Sequence, residues 1–572
     1  MDITFNIGGE AGQGIDTIGD LLTQIFVQVG FYTITVKDFE SRIRGGYNFT
    51  QIRVSDRPVV APVEEVHIIV ALSKDAIIGQ RDRLVDGGVI IFDDSIVFND
   101  VEACHFPAPL EKTAVDIGGD VRMANAAALG AVLSVIKFPF GLAEEALTNI
   151  FGRKGEKVVS GNIAVARTLY DMTAEKFTGS CSQDLAQVKK GPSTDRFIVT
   201  GNRALALGAI AANVKWVSSY PMSPSTSLFQ DIVANAHRLK IGSLQTEDEI
   251  ASILMAIGAS YAGARSMVTT SGGGFSLMVE GMGLAAMAEV PIVIYNAQRP
   301  GPSTGLPTRT EQADLLFTAF SSQGEFPRIV LAPKDPEEGL EIAVRSFDLT
   351  EKYQVPVIIL GDQYFADSAM NIAKPNITGT KIDRGKMIGP KNISGYERYR
   401  FTEDGVSPRA FPGSEGITVV SSGNAHLENG HITEDPNIRD TMVEKFFKKV
   451  PHILKDLKPP DIFGPKEADV TLLTWGSTWG AVFEAVETMS SRNMSVNQLH
   501  FCDVYPLQTQ TLHEVFEKSK KVISVEMNAT SQFADLVRMK TGLTVHHQIN
   551  KYDGRPMTAA WVIRKLKEVG VE

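Results

Sequence analysis

Four short segments in the middle of this 572-residue chain carry side chains suited to holding a small anionic molecule. They are Tyr220-Pro-Met-Ser-Pro-Ser-Thr226, Gln245-Thr-Glu-Asp-Glu249, Thr270-Ser-Gly-Gly-Gly274 and Gln298-Arg-Pro-Gly-Pro-Ser-Thr-Gly-Leu-Pro-Thr308. Arg299, on a loop stiffened by Pro300, Pro302 and Pro307, suits a bidentate clamp on a carboxylate, although a surface salt bridge would use the same residue. Ser223, Ser303, Thr304 and Thr308 add hydroxyl groups along the same loops. Gly272, Gly273 and Gly274 allow a ligand to approach the backbone closely, or simply make a tight turn. The segment lacks the G-K-[ST] ending of a phosphate-binding P-loop, which disfavours a nucleoside triphosphate.

The acidic segment has the form of a capping box, with Thr246 as N-cap and Glu249 at the third helical position. Ile250, Ile253, Leu254 and Ile257 follow at helical spacing. Acids in a first turn complement the helix dipole, and that accounts for Asp248 and Glu249 in full. Glu247, aimed from a helix start, could instead hold a ligand nitrogen.

These segments need a scaffold that brings them together, and the surrounding pattern supplies one. Each follows an apolar, strand-like run, and strand, loop and helix alternate as an open α/β sheet requires. The runs 214–218, 266–270, 291–295, 329–331 and 355–360 read as buried parallel strands. In such sheets ligands bind outside the carboxyl ends of the strands. The fold class expected is therefore α/β, in several doubly wound domains. A chain of this length suggests three or four domains of ~150 residues. The divisions read as an α/β domain over 1–180, a polar linker over 181–194, the anion-suited domain over 195–370, a turn-rich connector or arm over 371–465, and a third α/β unit over 466–572.

In the first domain, residues 3–7 read as a strand, Gly8 to Gly14 as a glycine turn and residues 15–29 as a helix. The glycine spacing does not meet the dinucleotide fingerprint G-x-G-x-x-G, while the helix start behind it suits a phosphate or pyrophosphate. Ser41-Arg-Ile-Arg-Gly-Gly46 adds two positive charges for an anionic ligand or partner.

A net charge of −11, with 43% hydrophobic and 22% charged residues, fits a soluble globular protein and argues against nucleic-acid or anionic-membrane partners. No apolar stretch reaches the ~18 residues of a membrane span, and the start lacks the basic residues of a signal peptide. A cytoplasmic location is expected. Cys104, Cys181 and Cys502 lie far apart and form no C-x-x-C pair, so the chain shows no ligand set for a cluster or structural zinc.

Taken together, the segments resemble the 2-oxoacid:ferredoxin oxidoreductases, specifically the alpha subunit with a gamma domain fused ahead of it, and most nearly those acting on 2-oxoglutarate. Tyr220–Thr226 resembles the family's Y-P-I-T-P-S-T, with Ser223 where threonine is usual, and the segment Asn296–Thr308 contains a match to its Q-R-x-G-P-S-T-G-x-P-T. Gly8–Gly14 resembles the gamma glycine motif, Arg44-Gly-Gly46 its R-G-G, and Ser422–Gly430 its T-G-x-E-H stretch. The resemblance implies a pyrimidine-type thiamine diphosphate domain and a transketolase C-terminal-like last domain, in which Trp475 and Trp479 are structural. It implies that Glu247 hydrogen-bonds the aminopyrimidine ring and that Ser223, Pro224, Gly272 and Gly273 also face the cofactor. Arg299 would bind the substrate carboxylate with Ser223, Thr308 would lie near the substrate side chain, and Gly12 and Gly14 would help cover coenzyme A. A beta subunit would carry the Mg²⁺–diphosphate site and an iron–sulfur [4Fe-4S] cluster, pass electrons to ferredoxin, and pair with this chain as a heterotetramer of two alpha–beta pairs. The reaction implied is reversible decarboxylation of a 2-oxoacid to its acyl-coenzyme A, succinyl-CoA from 2-oxoglutarate; the reductive direction would be that of a reductive TCA cycle. Pyruvate or branched 2-oxoacids, a thiamine-dependent acyl or ketol transferase without ferredoxin, and a non-catalytic binding subunit are the alternatives.

Overall fold

The strand Asp2–Ala11 places Ile3, Phe5 and Ile7, all fully buried, against the helix Ile15–Val29. In the computed structural model the described residues are 1–571 apart from 41–44, 99–103, 153–154, 180, 190–194, 378 and 389–394. Arg42 and Arg44, and part of the expected 181–194 linker, lie outside the described residues. The chain divides into two compact units. One comprises Met1–Val199, Ser368–Pro375 and Thr558–Ala560; the other comprises Thr200–Asp367, Asn376–Met557 and Trp561–Glu572. Each is an α/β structure, as the sequence led us to expect.

The first unit is built on an eight-stranded sheet in the order His105–Ala108, Leu84–Asp93, Val66–Ala71, Asp2–Ala11, Gly45–Ser55, Tyr32–Asp38, Ala369–Ala373, Arg196–Thr200. The first four strands are mutually parallel, and Gly45–Ser55 runs antiparallel to both its neighbours. Gly8 and Gly9 are not in a turn: they continue the strand, opposite Phe49 and Asn48. The turn is confined to Gly12 and Gly14, with φ of 96° and 88°, a left-handed conformation that favours glycine. Asn371 ties the distant strand in, accepting from the Thr33 amide at 2.8 Å and donating to the Phe31 carbonyl at 2.8 Å.

The second unit contains a seven-stranded sheet in the order Asp503–Tyr505, Ile329–Leu331, Pro356–Asp362, Ile292–Gln298, Ser266–Thr270, Trp216–Ser219, Gly242–Gln245. All pairings are parallel except that of Asp503–Tyr505. Alternate residues of its strands enter two cores on opposite faces: Val293, Tyr295 and Ala297 on one, Ile292 and Ile294 on the other. That two-sided burial is why these strands read as continuous apolar runs. A five-stranded sheet follows, in the order Asp461–Phe463, Val496–Phe501, Val470–Trp475, Lys521–Glu526, His547–Asn550. Trp475 is fully buried, its indole donating to Glu526.

The connector is ordered by buried charge. Glu289, fully buried, accepts from Lys445 at 2.5 Å and Lys449 at 2.7 Å on the connector helices Pro436–Lys448 and Val450–Asp456 and the turn between them. Glu351 likewise pairs with Arg384 at 2.7 Å and Arg409 at 2.9 Å. His426, in the Ser422–Gly430 stretch, is buried with its ring 3.8 Å from that of Tyr399, and a short turn closes behind it through Leu427 and His431.

Burial alone would raise the Glu289 pKa, but Lys445, Lys449 and Arg398 together push it below the ordinary value of 4.5. A carboxyl held low in the fold contributes stability above its ordinary pKa, and this is lost as pH falls through and below 4.5. Glu289→Gln leaves two buried ammonium groups uncompensated and is expected to cost about 3–5 kcal/mol. Denaturant unfolding at pH 7 measures that loss, and the variant is also expected to show a flatter decline of stability below pH 4.5 than the unmodified protein.

Candidate active site

Four neighbouring parallel strands end together. Ser219 stands opposite Gln245 on one side and Thr269 on the other, and Thr270 stands opposite Asn296. The loops that leave these strands are the four segments singled out above, so the register itself assembles them on one edge of the sheet.

Arg299 and Ser223 meet there: an Arg299 guanidinium N–H donates to the Ser223 carbonyl at 2.7 Å. Ser223 is exposed and Pro224 buried, with the Pro224 carbonyl accepting from Asn202 at 2.8 Å. Burial lowers the Arg299 pKa and the nearby Asp314 partly restores it. Gly301 to Leu306, including Ser303 and Thr304, form the exposed tip of the loop, whereas Thr308 is buried.

The helix start differs from the capping-box expectation. The helix is Glu249–Tyr261, and its N-cap is Asp248, whose carboxylate accepts from the Ala251 amide at 2.7 Å. Thr246 instead bonds the Asp248 carbonyl at 2.9 Å and the Ser252 hydroxyl. Glu247 therefore precedes the cap and is exposed, while Glu249 becomes the first helical residue and is only 3% exposed. The correction follows from periodicity: Ile253, Ala256, Ile257 and Ser260 form the buried face, and stepping back one turn from Ile253 gives Glu249. Glu249 Oε1 is buried with no hydrogen-bond partner among the described residues. Burial raises its pKa, against a backbone hydrogen bond that lowers it.

The three glycines at the start of the helix Gly272–Met287 have different reasons to be glycine. A Cβ on Gly274 would run into Thr270 Oγ1 and Glu249 Oε1. One on Gly272 would lie 2.5 Å from Asp314 Oδ2, so this glycine faces a carboxylate of its own chain rather than an open cleft. Gly273 is exposed, with nothing nearer to its Cβ position than the Ser303 carbonyl at 4.0 Å. Ser271 Oγ and Asn296 Oδ1, also buried, have no partner among the described residues. A carboxyl with an unpaired oxygen, beside a glycine turn at a helix N-terminus, can hydrogen-bond a heterocyclic nitrogen, and an exposed arginine loop can hold a carboxylate. Sequence reasoning explained Glu249 by the helix dipole alone, gave Asn296 no role and did not single out Asp314.

In the first unit, Gly12 has open space around its Cβ position, whereas a Cβ on Gly14 would lie 2.5 Å from the Asn125 side chain. Packing and its φ thus explain Gly14 without a ligand.

Two family models match the chain: pyruvate flavodoxin/ferredoxin oxidoreductase, thiamine diphosphate-binding, over residues 207–445, and pyruvate ferredoxin/flavodoxin oxidoreductase over residues 4–172. The chain is 32% identical to a 2-oxoacid:ferredoxin oxidoreductase subunit alpha of Sulfolobus sp, over 97% of this chain and 95% of that one. It is 30% identical to a 2-oxoacid:ferredoxin oxidoreductase 2, subunit alpha, of Aeropyrum pernix, over 100% and 99%. Among solved structures, the 2-oxoglutarate:ferredoxin oxidoreductase of Magnetococcus marinus, with 2-oxoglutarate, coenzyme A and succinyl-CoA bound, superposes with a TM-score of 0.92 at 31% identity, over 99% of both chains.

Gly274→Ala is expected to displace the Glu249 carboxyl and to cost about 1–3 kcal/mol through overpacking. Gly273→Ala, with open space at its Cβ, is expected to be neutral or slightly stabilising through helix propensity. Thermal unfolding of the two variants side by side checks both.

Proposed function

The chain belongs to the 2-oxoacid:ferredoxin oxidoreductases, as an alpha subunit, and we propose that it supplies one half of a thiamine diphosphate site. There a 2-oxoacid, 2-oxoglutarate first among them, loses CO₂ and passes its acyl group to coenzyme A. In that reaction the C1–C2 bond breaks, the acyl carbon bonds to the thiol sulfur, one proton is released, and two electrons leave singly for ferredoxin. The carrying observation is Glu249: a buried carboxyl with one unpaired oxygen, at the carboxyl edge of four parallel strands.

Those residues fit thiamine diphosphate. The burial that raises the Glu249 pKa favours a proton on its carboxyl, and a protonated carboxyl donates to an aminopyrimidine nitrogen. The role that the resemblance attached to Glu247 passes to Glu249, because Glu247 is exposed ahead of the cap. Ser223, Pro224 and Gly273 would line the cofactor's approach, whereas the site beside Gly272 is taken by Asp314. When bound, thiamine diphosphate supplies the electron sink for decarboxylation. Arg299 holds the substrate carboxylate, its guanidinium kept on the loop by the Ser223 carbonyl, and Thr308 stands at the base of that loop. In the first unit, Gly12 is the candidate for coenzyme A.

We assign Mg²⁺, the diphosphate contacts and the iron–sulfur cluster to a beta subunit, paired with this chain as two alpha–beta pairs. Support for a covering partner comes from Ile250, Leu254 and Leu277, exposed on the two helices that begin at Glu249 and Gly272. The 2-oxoglutarate assignment is supported by the Magnetococcus marinus structure, which holds that acid and is similar over nearly the whole chain. The same side chains serve oxidation and reductive carboxylation. Among the described residues no helix is long and apolar enough to cross a membrane, and we place the reaction in the cytoplasm.

Anaerobic viologen reduction by this chain with its partner, supplied with coenzyme A and a panel of 2-oxoacids, tests the assignment. Reduction is expected only with coenzyme A present and fastest with 2-oxoglutarate. Glu249→Gln is expected to lower kcat by about 10²–10⁴-fold with cofactor still bound, and Glu247→Gln to change it less than about threefold, the scale of a surface substitution. A cofactor-loaded complex that reduces no viologen with any 2-oxoacid would overturn the ferredoxin-linked reaction.

A further inference from the structure

We propose that Asp314 is a positioning residue for Arg299: it latches the loop that carries Arg299 to the strand before it, and its carboxyl gains a proton when a substrate carboxylate binds Arg299. This rests on the assignment of Arg299 to the substrate carboxylate.

The latch is visible on both sides of Arg299. Asn296 donates to Asp314 Oδ2 at 3.3 Å, and the Asp314 amide donates to Gln298 Oε1 at 2.9 Å. Gln298 is itself fixed, its side-chain amide donating to the Gly361 carbonyl at 3.1 Å on the neighbouring strand. Residues 299–313 are thus closed into a loop whose two ends meet at one aspartate. Gln532 secures the outgoing end, accepting from the Leu316 amide at 3.0 Å and donating to the Ala313 carbonyl at 2.6 Å.

Asp314 does not behave as its position would suggest. It is the N-cap of the helix Leu315–Phe320, yet its side chain caps nothing there. Its carboxylate lies instead over Gly272, the first residue of the neighbouring helix, where the missing Cβ leaves room for Oδ2. The helix dipole favours negative charge at that point. The charged groups facing it are Arg299 and Glu311, both on its own loop. The strand presents Asn296 and Gln298, the glycine helix Gly272, and the helix Gln532–Thr541 presents Gln532, all neutral.

Burial raises the Asp314 pKa to about 6, with the Asn296 hydrogen bond and the Arg299 charge holding it down. A substrate carboxylate on Arg299 screens the second of these and adds a negative charge of its own. Both effects push the Asp314 carboxyl further up, so near neutral pH the bound state holds more proton at this site than the free state. Binding should then weaken as pH rises from 6 to 8.

The test uses the complex of this chain with its partner, loaded with cofactor. For the unmodified protein the KM for 2-oxoglutarate is expected to rise between about threefold and tenfold from pH 6 to pH 8, with kcat moving less. In Asp314→Asn, whose amide oxygen can still accept from Asn296, the slope is expected to vanish. Should that variant fail to fold, titration calorimetry of the unmodified complex with 2-hydroxyglutarate, which keeps the carboxylates but has no carbonyl to react, in phosphate and in imidazole buffer at pH 6.5 reads the proton uptake on binding. A pH slope retained by Asp314→Asn, or no buffer-dependent proton uptake, overturns the inference. Arg299→Ala separates this from the underlying assignment. If it leaves the KM unchanged, the assignment of Arg299 fails, whereas a large KM rise alongside a silent Asp314→Asn removes only the role of Asp314.

Discussion

Parallel pairing in register is the constraint on which the site depends. Because Trp216–Ser219, Gly242–Gln245, Ser266–Thr270 and Ile292–Gln298 run in one direction and are neighbours, their carboxyl ends fall on one edge. Every loop that carries a polar side chain of interest leaves from that edge. The helices that follow begin there too, so two helix N-termini, at Glu249 and Gly272, converge with the arginine loop. The dipole at Gly272 favours negative charge where Asp314 carries it, while at Glu249 burial works the other way and raises the pKa.

The second organising term is ionic and buried. Glu289 and Glu351 hold four cationic side chains of the connector region: Lys445, Lys449, Arg384 and Arg409. Pairs of this kind contribute less to stability than an apolar replacement of the same volume can, and their value lies in specifying one arrangement. Here that arrangement fixes a segment with few apolar residues of its own against an apolar sheet domain. A turn-rich stretch of this length would otherwise have little to hold it in one conformation.

The fold was largely legible because two-sided burial leaves apolar runs that need no alignment to see. The strands at 266–270 and 329–331 lie where the runs predict them, and the others differ only at their ends. Tyr32–Asp38 and Gly45–Ser55 escaped notice: Thr33, Thr35, Asn48, Thr50, Gln51 and Arg53 are polar yet buried, with Thr35 and Thr50 meeting Thr23 and Asp16 of the packed helix, Gln51 the Val63 carbonyl and Arg53 the Asp2 carboxylate. The site was legible as loops and less so as residues. Thr246 and Asp248 both have N-cap chemistry, and choosing the first shifted the helix start and passed the interior carboxyl from Glu249 to Glu247. Asp314 left no local signal, because its meaning comes from Gly272 and Asn296, which only the folded sheet brings to it.

The strand Ala369–Ala373 has a consequence for how this chain can be divided. It belongs to the first unit's sheet beside Tyr32–Asp38, although more than three hundred residues separate Asn371 from Thr33. A fragment ending near residue 180 would therefore carry a bare edge, with the Thr33 amide and Phe31 carbonyl losing the side chain that satisfies them. Unpaired edges of this kind recruit other strands. The first unit is discontinuous in the gene and continuous only in space, so cutting the chain at the linker would leave six of its eight strands with an adhesive edge at Tyr32–Asp38.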